Sequence, residues 1–176
     1  MPITVSESGE WVERLAISHL ICRYSSAVTR ADWEETEALF APDAIWEIPA
    51  LGLRHEGGTA IRYFLAETIR YDVLLQTAHS PVIRLLGPGQ GQATTTIHEL
   101  VRGEVLADSA FARAGTPVNI EQYGIYHDDV AQLDGDWRFT HRIFVPVYVQ
   151  DNGVSGQVVT PRSALRADKS GVTFTS

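Results

Sequence analysis

The stretch LGPGQGQATTTIHELVRG, residues 86–103, decides the architecture. Its glycine-rich start, GPGQG (87–91), has the composition of a phosphate-cradling loop, but such a loop must open a helix. The next residues, QATTTIHELVRG, instead form a threonine- and β-branched run with a period of two, and that pattern reads as a strand. GPGQG is therefore a turn between two strands.

The same reading extends outward on both sides. Segments 73–86, 92–106, 117–132 and 136–149 are all long and rich in Val, Ile, Thr and Tyr. Asp134-Gly135 between the last two suits a type I′ hairpin, and 107–116 is a looser connection. Upstream the period lengthens to three and four. Residues 10–31 carry Val12, Ile17, Leu20, Ile21, Tyr24, Ala27 and Val28 on one stripe, which predicts a helix. Asp32, followed by Trp-Glu-Glu, reads as the cap of a short helix over 33–40. FAPDAIWEIPA (40–50) turns into a short strand near 44–48, and 56–70 is a third helix. The order of three helices followed by a four-stranded antiparallel meander predicts an α+β fold with a curved sheet wrapped on the helices. Long strands bend, and a bent sheet closed by helices encloses an apolar pocket. Residues 1–150 read as one domain and 151–176 as a tail packed on the domain or on a dimer partner.

Composition excludes several function classes. At 176 residues and 44% hydrophobic content the chain can build one proper core. A net charge of −8 with no basic stripe argues against a nucleic-acid surface and favours an apolar small-molecule ligand. Cys22 is the single cysteine, so no disulfide forms within the chain. MPITVSESGEW lacks the features of a secretory signal, and no window approaches the ~20 apolar residues that cross a bilayer. A cytoplasmic protein without membrane contact is expected. There is no Gly-x-Ser-x-Gly elbow, and no histidine pair has metal-ligand spacing, so no metal is expected.

The candidate chemistry lies in the strands. His79 in TAHSPVIRL and His98 in ATTTIHELVRG stand where one strand face meets the pocket, and two imidazoles on an apolar wall make an acid and base pair. The alternative is that each bonds a neighbouring strand on the outer face. Strand alternation sends Glu99 the opposite way from His98. Glu47 stands beside Trp46, and Tyr24 and Tyr126 are donors to a ligand oxygen or amphipathic core residues.

LAISHLICRYSSAVTRADWEETEALFAPDAIWE (15–47), HEGGTAIRYFL (55–65), TAHSPVIRL (77–85), IHEL (97–100) and LDGDWRFTHRIF (133–144) occur in this order. Together they resemble the SnoaL-like branch of the NTF2-like superfamily, which includes scytalone dehydratase, ketosteroid isomerase and polyketide cyclases. The resemblance implies a cone-shaped α+β fold around a deep apolar pocket, commonly as a homodimer. It implies His79 as base and His98 as acid or oxyanion donor. Tyr24, Thr29, Trp46, Tyr126 and Arg142 are then expected around the substrate. It also exposes a departure: where members carry an Asp that pairs with the histidine, this chain has Thr29. The expected function is a cofactor-independent lyase, isomerase or cyclase on an apolar cyclic compound. The alternative, which the missing Asp favours, is a non-catalytic binder of an apolar ligand or partner.

Overall fold

In a computed structural model, residues 5–106, 108, 113–160 and 165 are described. Helix α1 spans Val5–Arg30, α2 Trp33–Ala38 and α3 Gly58–Glu67; the strands are β1 Phe40–Ile48, β2 Leu53–Glu56, β3 Ile69–Ala78, β4 Val82–Gly87, β5 Gln90–Val105, β6 Pro117–Leu133 and β7 Asp136–Asp151. The strands form one sheet in the order β2-β1-β7-β6-β5-β3, with β4 paired to β5 beside β3. The α+β expectation is met, with three differences. Segment 73–86 is two strands, broken at His79–Pro81, and β2 is an additional short strand. The sheet is mixed rather than antiparallel, because β1 runs parallel to β7.

Local chemistry explains most of the boundaries. Asp32 caps α2, its carboxylate accepting from Glu35 N at 3.2 Å. The β6–β7 hairpin closes with Asp134 and Gly135 at φ +54° and +89°, the left-handed pair that a type I′ turn needs. The α1 stripe buries Ile17, Leu20, Ile21, Tyr24, Ala27 and Val28 against the sheet, while Val12 stays exposed and Cys22 lies on the outer side.

Three irregularities in the strands decide what faces inward. A register shift between Tyr71 and Val73 on β3 moves the inward set from Ile69 and Tyr71 to Leu74, Gln76 and Ala78. A second shift between Phe139 and His141 on β7 moves it from Trp137 and Phe139 to Arg142 and Phe144. A third, opposite Tyr123 and Gly124, adjusts β7 to the end of β6. There Gly124 is required by close approach: a Cβ at this position would stand 2.2 Å from the Phe144 ring.

Beyond β7 the chain stays on the domain as far as it is described. Asn119 brackets Val154, accepting from its N–H at 2.9 Å and donating to its carbonyl at 3.3 Å. Arg102 also donates to the carbonyls of Val154 and Gly156. The later tail, 161–164 and 166–176, lies outside the described residues.

Candidate active site

The concave face of the sheet, closed by α1 and α3, holds a cavity of about 560 Å³. Its lining is mainly apolar, with Leu51, Leu53, Phe64, Leu65, Val118 and Ile120 among the contributors. Both the size and the lining suit a small organic ligand.

Its polar centre is a row across three strands. Glu99 on β5 is the direct register partner of Gln76 on β3 and of Gln122 on β6. Gln76 Nε2 donates to Glu99 Oε1 at 3.0 Å, and Gln122 Nε2 donates to Oε2 at 2.5 Å. Helix α1 holds the row in place. Ser25 Oγ donates to Gln76 Oε1 at 3.2 Å, and the Gln76 backbone N–H donates to Thr29 Oγ1 at 3.0 Å. Burial pushes the Glu99 carboxyl above the usual carboxylate range, and the two amide donors partly offset that by favouring the charged form. Exposed Asp151 is the other carboxylate of the lining.

Tyr24 and Tyr126 stand beside this row, edge to face at 6.0 Å, and both line the cavity. Burial raises both phenols, Tyr126 well above its ordinary value. Behind the two rings, Arg142 is fully buried, 3.4 Å from its register partner Asp128 through Nε–Oδ1. Burial pushes the Asp128 carboxyl up to about 6, against the pull of Arg142.

The structure therefore gathers some expected residues and separates others. Tyr24, Trp46 and Tyr126 line the cavity. Thr29 does not; it anchors the backbone of Gln76. Arg142 sits one layer deeper, screened by the tyrosines, rather than against a ligand. The expected histidine pair is corrected in its placement. His79 is exposed in the linker between β3 and β4, where its N–H donates to Thr96 O at 3.0 Å. His98 lies on the opposite sheet face from Glu99, stacked on Tyr123 and 2.8 Å from Glu121 Oε1. The physical reason is alternation: Ala93, Ile97 and Val101 carry the buried face of β5, and Glu99 shares their parity while His98 does not.

Sequence reasoning missed Gln76, Glu99 and Gln122 as a unit. The odd-numbered apolar residues of β5 were a usable signal for Glu99. Gln76 had no such signal, because the shift on β3 breaks the alternation before it. Elsewhere, His141 is 2.9 Å from Glu47 Oε1 on the outer face, where the imidazole holds the Glu47 carboxyl below its ordinary value. Among the described residues, no group of three His, Cys, Asp or Glu is placed to hold a metal ion, and no helix is long and apolar enough to cross a membrane.

Comparison with known proteins places this geometry in a family. The chain resembles a putative scytalone dehydratase from Novosphingobium aromaticivorans at 20% identity, with a TM-score of 0.65 over 90% of this chain and 97% of that one. It is similar to a hexachlorocyclohexane dehydrochlorinase from Novosphingobium barchaimii at 14% identity, TM-score 0.66, covering 86% and 97%. A protein of unknown function from Mycobacterium tuberculosis matches at 20% identity and TM-score 0.61, covering 90% and 86%. At these identities the likeness concerns the fold. A comparison with curated proteins returns no match. The SnoaL-like domain pattern, by contrast, matches residues 10–143, more than half of the sequence. This chain belongs to the SnoaL-like domain family.

Proposed function

We propose that the protein is a cofactor-independent lyase or isomerase that moves a proton on an apolar cyclic small molecule, with Glu99 as the acid–base group. The observation that carries this reading is the half-buried Glu99 carboxylate at the centre of the Gln76–Glu99–Gln122 row, on the wall of an apolar cavity. A carboxyl raised by burial is a better base than an exposed one, and once protonated it returns the proton as an acid. Tyr24 and Tyr126 supply hydroxyls on the same wall for an oxygen on which negative charge develops. The similar proteins named for dehydratase and dehydrochlorinase activity support a lyase-type reaction, since both names describe elimination of a small group. The acid–base role expected of His79 and His98 passes in this reading to Glu99.

The test is exchange of the α-hydrogens of small cyclic ketones in deuterated water, followed by NMR. The wild-type protein is expected to accelerate exchange, and Glu99→Gln to lose ~100-fold or more of that rate while still binding the ketone. A Glu99→Gln variant as fast as wild type would overturn the assignment. A second reading, ligand binding without turnover, is favoured by one observation. Thr29 stands where an acid was expected and, among the described residues, bonds only the Gln76 backbone. Saturable ketone binding with no exchange in either protein decides for it.

A further inference from the structure

Arg142 is among the largest side chains with no solvent exposure, and the acid–base reading makes no direct use of it. Its guanidinium carbon lies 3.8 Å from the centre of the Tyr126 ring, 4.0 Å from that of Tyr24 and 4.2 Å from that of Phe139. Nε, Nη1 and Nη2 are all buried without a hydrogen-bond partner, and the Asp128 contact at 3.4 Å is an ion pair of loose geometry. A guanidinium normally forks onto oxygen acceptors. Here its hydration has been exchanged chiefly for aromatic faces and one carboxylate.

Two of those three rings belong to the tyrosines of the cavity wall. A cation held against the face of a phenol favours the phenolate and makes the neutral hydroxyl a stronger hydrogen-bond donor. We propose that Arg142 is a positioning residue that, from behind the wall, strengthens the Tyr24 and Tyr126 hydroxyls as donors to a ligand oxygen, so that the ligand class is a carbonyl compound whose oxygen gains negative charge during reaction. Among the described residues, the charged groups acting on Tyr24 are Arg142 from β7, Glu99 from β5 and Asp128 from β6. Arg142 and Glu99 also act on Tyr126. Burial holds both phenols high; the cation works against it and the carboxylates with it. The catalytic consequence rests on the acid–base reading of the same cavity, but the electrostatic claim is measurable without turnover.

The experiment places difluorotyrosine at position Tyr24 in the full chain and follows its ionisation by fluorine NMR, because fluorination brings the phenol into a range where the protein stays folded. Arg142→Met is expected to move the ionisation up by about 1 pH unit or more, and Arg142→Lys to return it toward wild type. Asp128→Asn removes the counter-charge and is expected to move it down. Opposite shifts in the two variants cannot come from loosened packing, which would move both the same way. An unchanged value in Arg142→Met, or shifts of the same sign in Arg142→Met and Asp128→Asn, would overturn the proposal. If Arg142→Met does not fold, Arg142→Gln takes its place: an upward shift supports the proposal and an unchanged value sinks it. The exchange assay with Glu99→Gln reports separately on the acid–base reading.

Discussion

Gln76 holds Glu99 with a hydrogen bond whose direction is set from the far side. Ser25 donates to the Gln76 carbonyl oxygen, which turns the amide nitrogen toward Glu99 Oε1 at 3.0 Å. The carboxylate thus receives a donor aimed by a helix from a distant part of the chain. Gln122 supplies the second donor from the opposite neighbour strand.

Removing one of these donors shifts the acid–base behaviour in a stated direction. A donor to the charged form lowers a carboxyl's pKa, so its loss raises it. Gln122→Leu is therefore expected to move the lower limb of the pH–rate profile for ketone exchange to higher pH. Ser25→Ala, which frees the Gln76 amide, gives a smaller move of the same sign. A profile that stays in place, or moves to lower pH, contradicts the assignment of Glu99.

Asp128 makes stability depend on pH with the opposite sign from a surface carboxylate. Its folded value, about 6, lies above the ordinary 3.8, so the folded protein holds a proton that the unfolded chain has released. The stability this group contributes is present below pH 4 and falls as pH rises toward 6, by about 3 kcal/mol in all. Asp128→Asn has no such titration, although it is less stable at low and high pH alike. Urea unfolding of both proteins between pH 4 and pH 7 measures the gap, which should narrow as pH increases.

The cap reading of Asp32 is a prediction about stability alone. Asp32→Ala removes the acceptor for Glu35 N and the ion pair with Arg30, and should cost ~1 kcal/mol by urea unfolding. Ketone exchange should be unaffected, because Asp32 does not line the cavity.

Gly124→Ala tests the close approach beneath the cavity wall. The added methyl would overlap the Phe144 ring, which is buried and lines the cavity. Overpacking of this kind is expected to cost ~1–3 kcal/mol, read as a lowered midpoint in urea, together with weaker ketone binding. A variant as stable as wild type would mean that Phe144 has room to move.

Where the sequence kept a single periodicity, its reading survived. The α1 stripe from Ile17 to Val28, the Asp32 cap and the Asp134-Gly135 turn all sit where local chemistry demands, because each depends on residues a few positions apart. The site was legible only in part. Tyr24 and Tyr126 follow the helix stripe and the β6 alternation onto the cavity wall. His98 was misread by one step of a period-two pattern, although Ala93, Ile97 and Val101 marked the correct phase. Gln76 and Arg142 were beyond such reasoning, because each lies just after a register shift that alternation cannot foresee. The break after Ala78 was legible but read through: His79-Ser80-Pro81 interrupts the apolar run, and a proline cannot donate to the ladder.

Strand phase ties the wall's chemistry to its shape. On β5 an imidazole and a carboxylate occupy consecutive positions on opposite faces, and on β7 His141 and Arg142 do the same. Gaining or losing one residue in either strand would turn these pairs over together with the apolar residues that share their faces, unless a bulge absorbed the change. The carboxylate on the cavity wall is therefore held there by the same alternation that buries Ile97 and Val101.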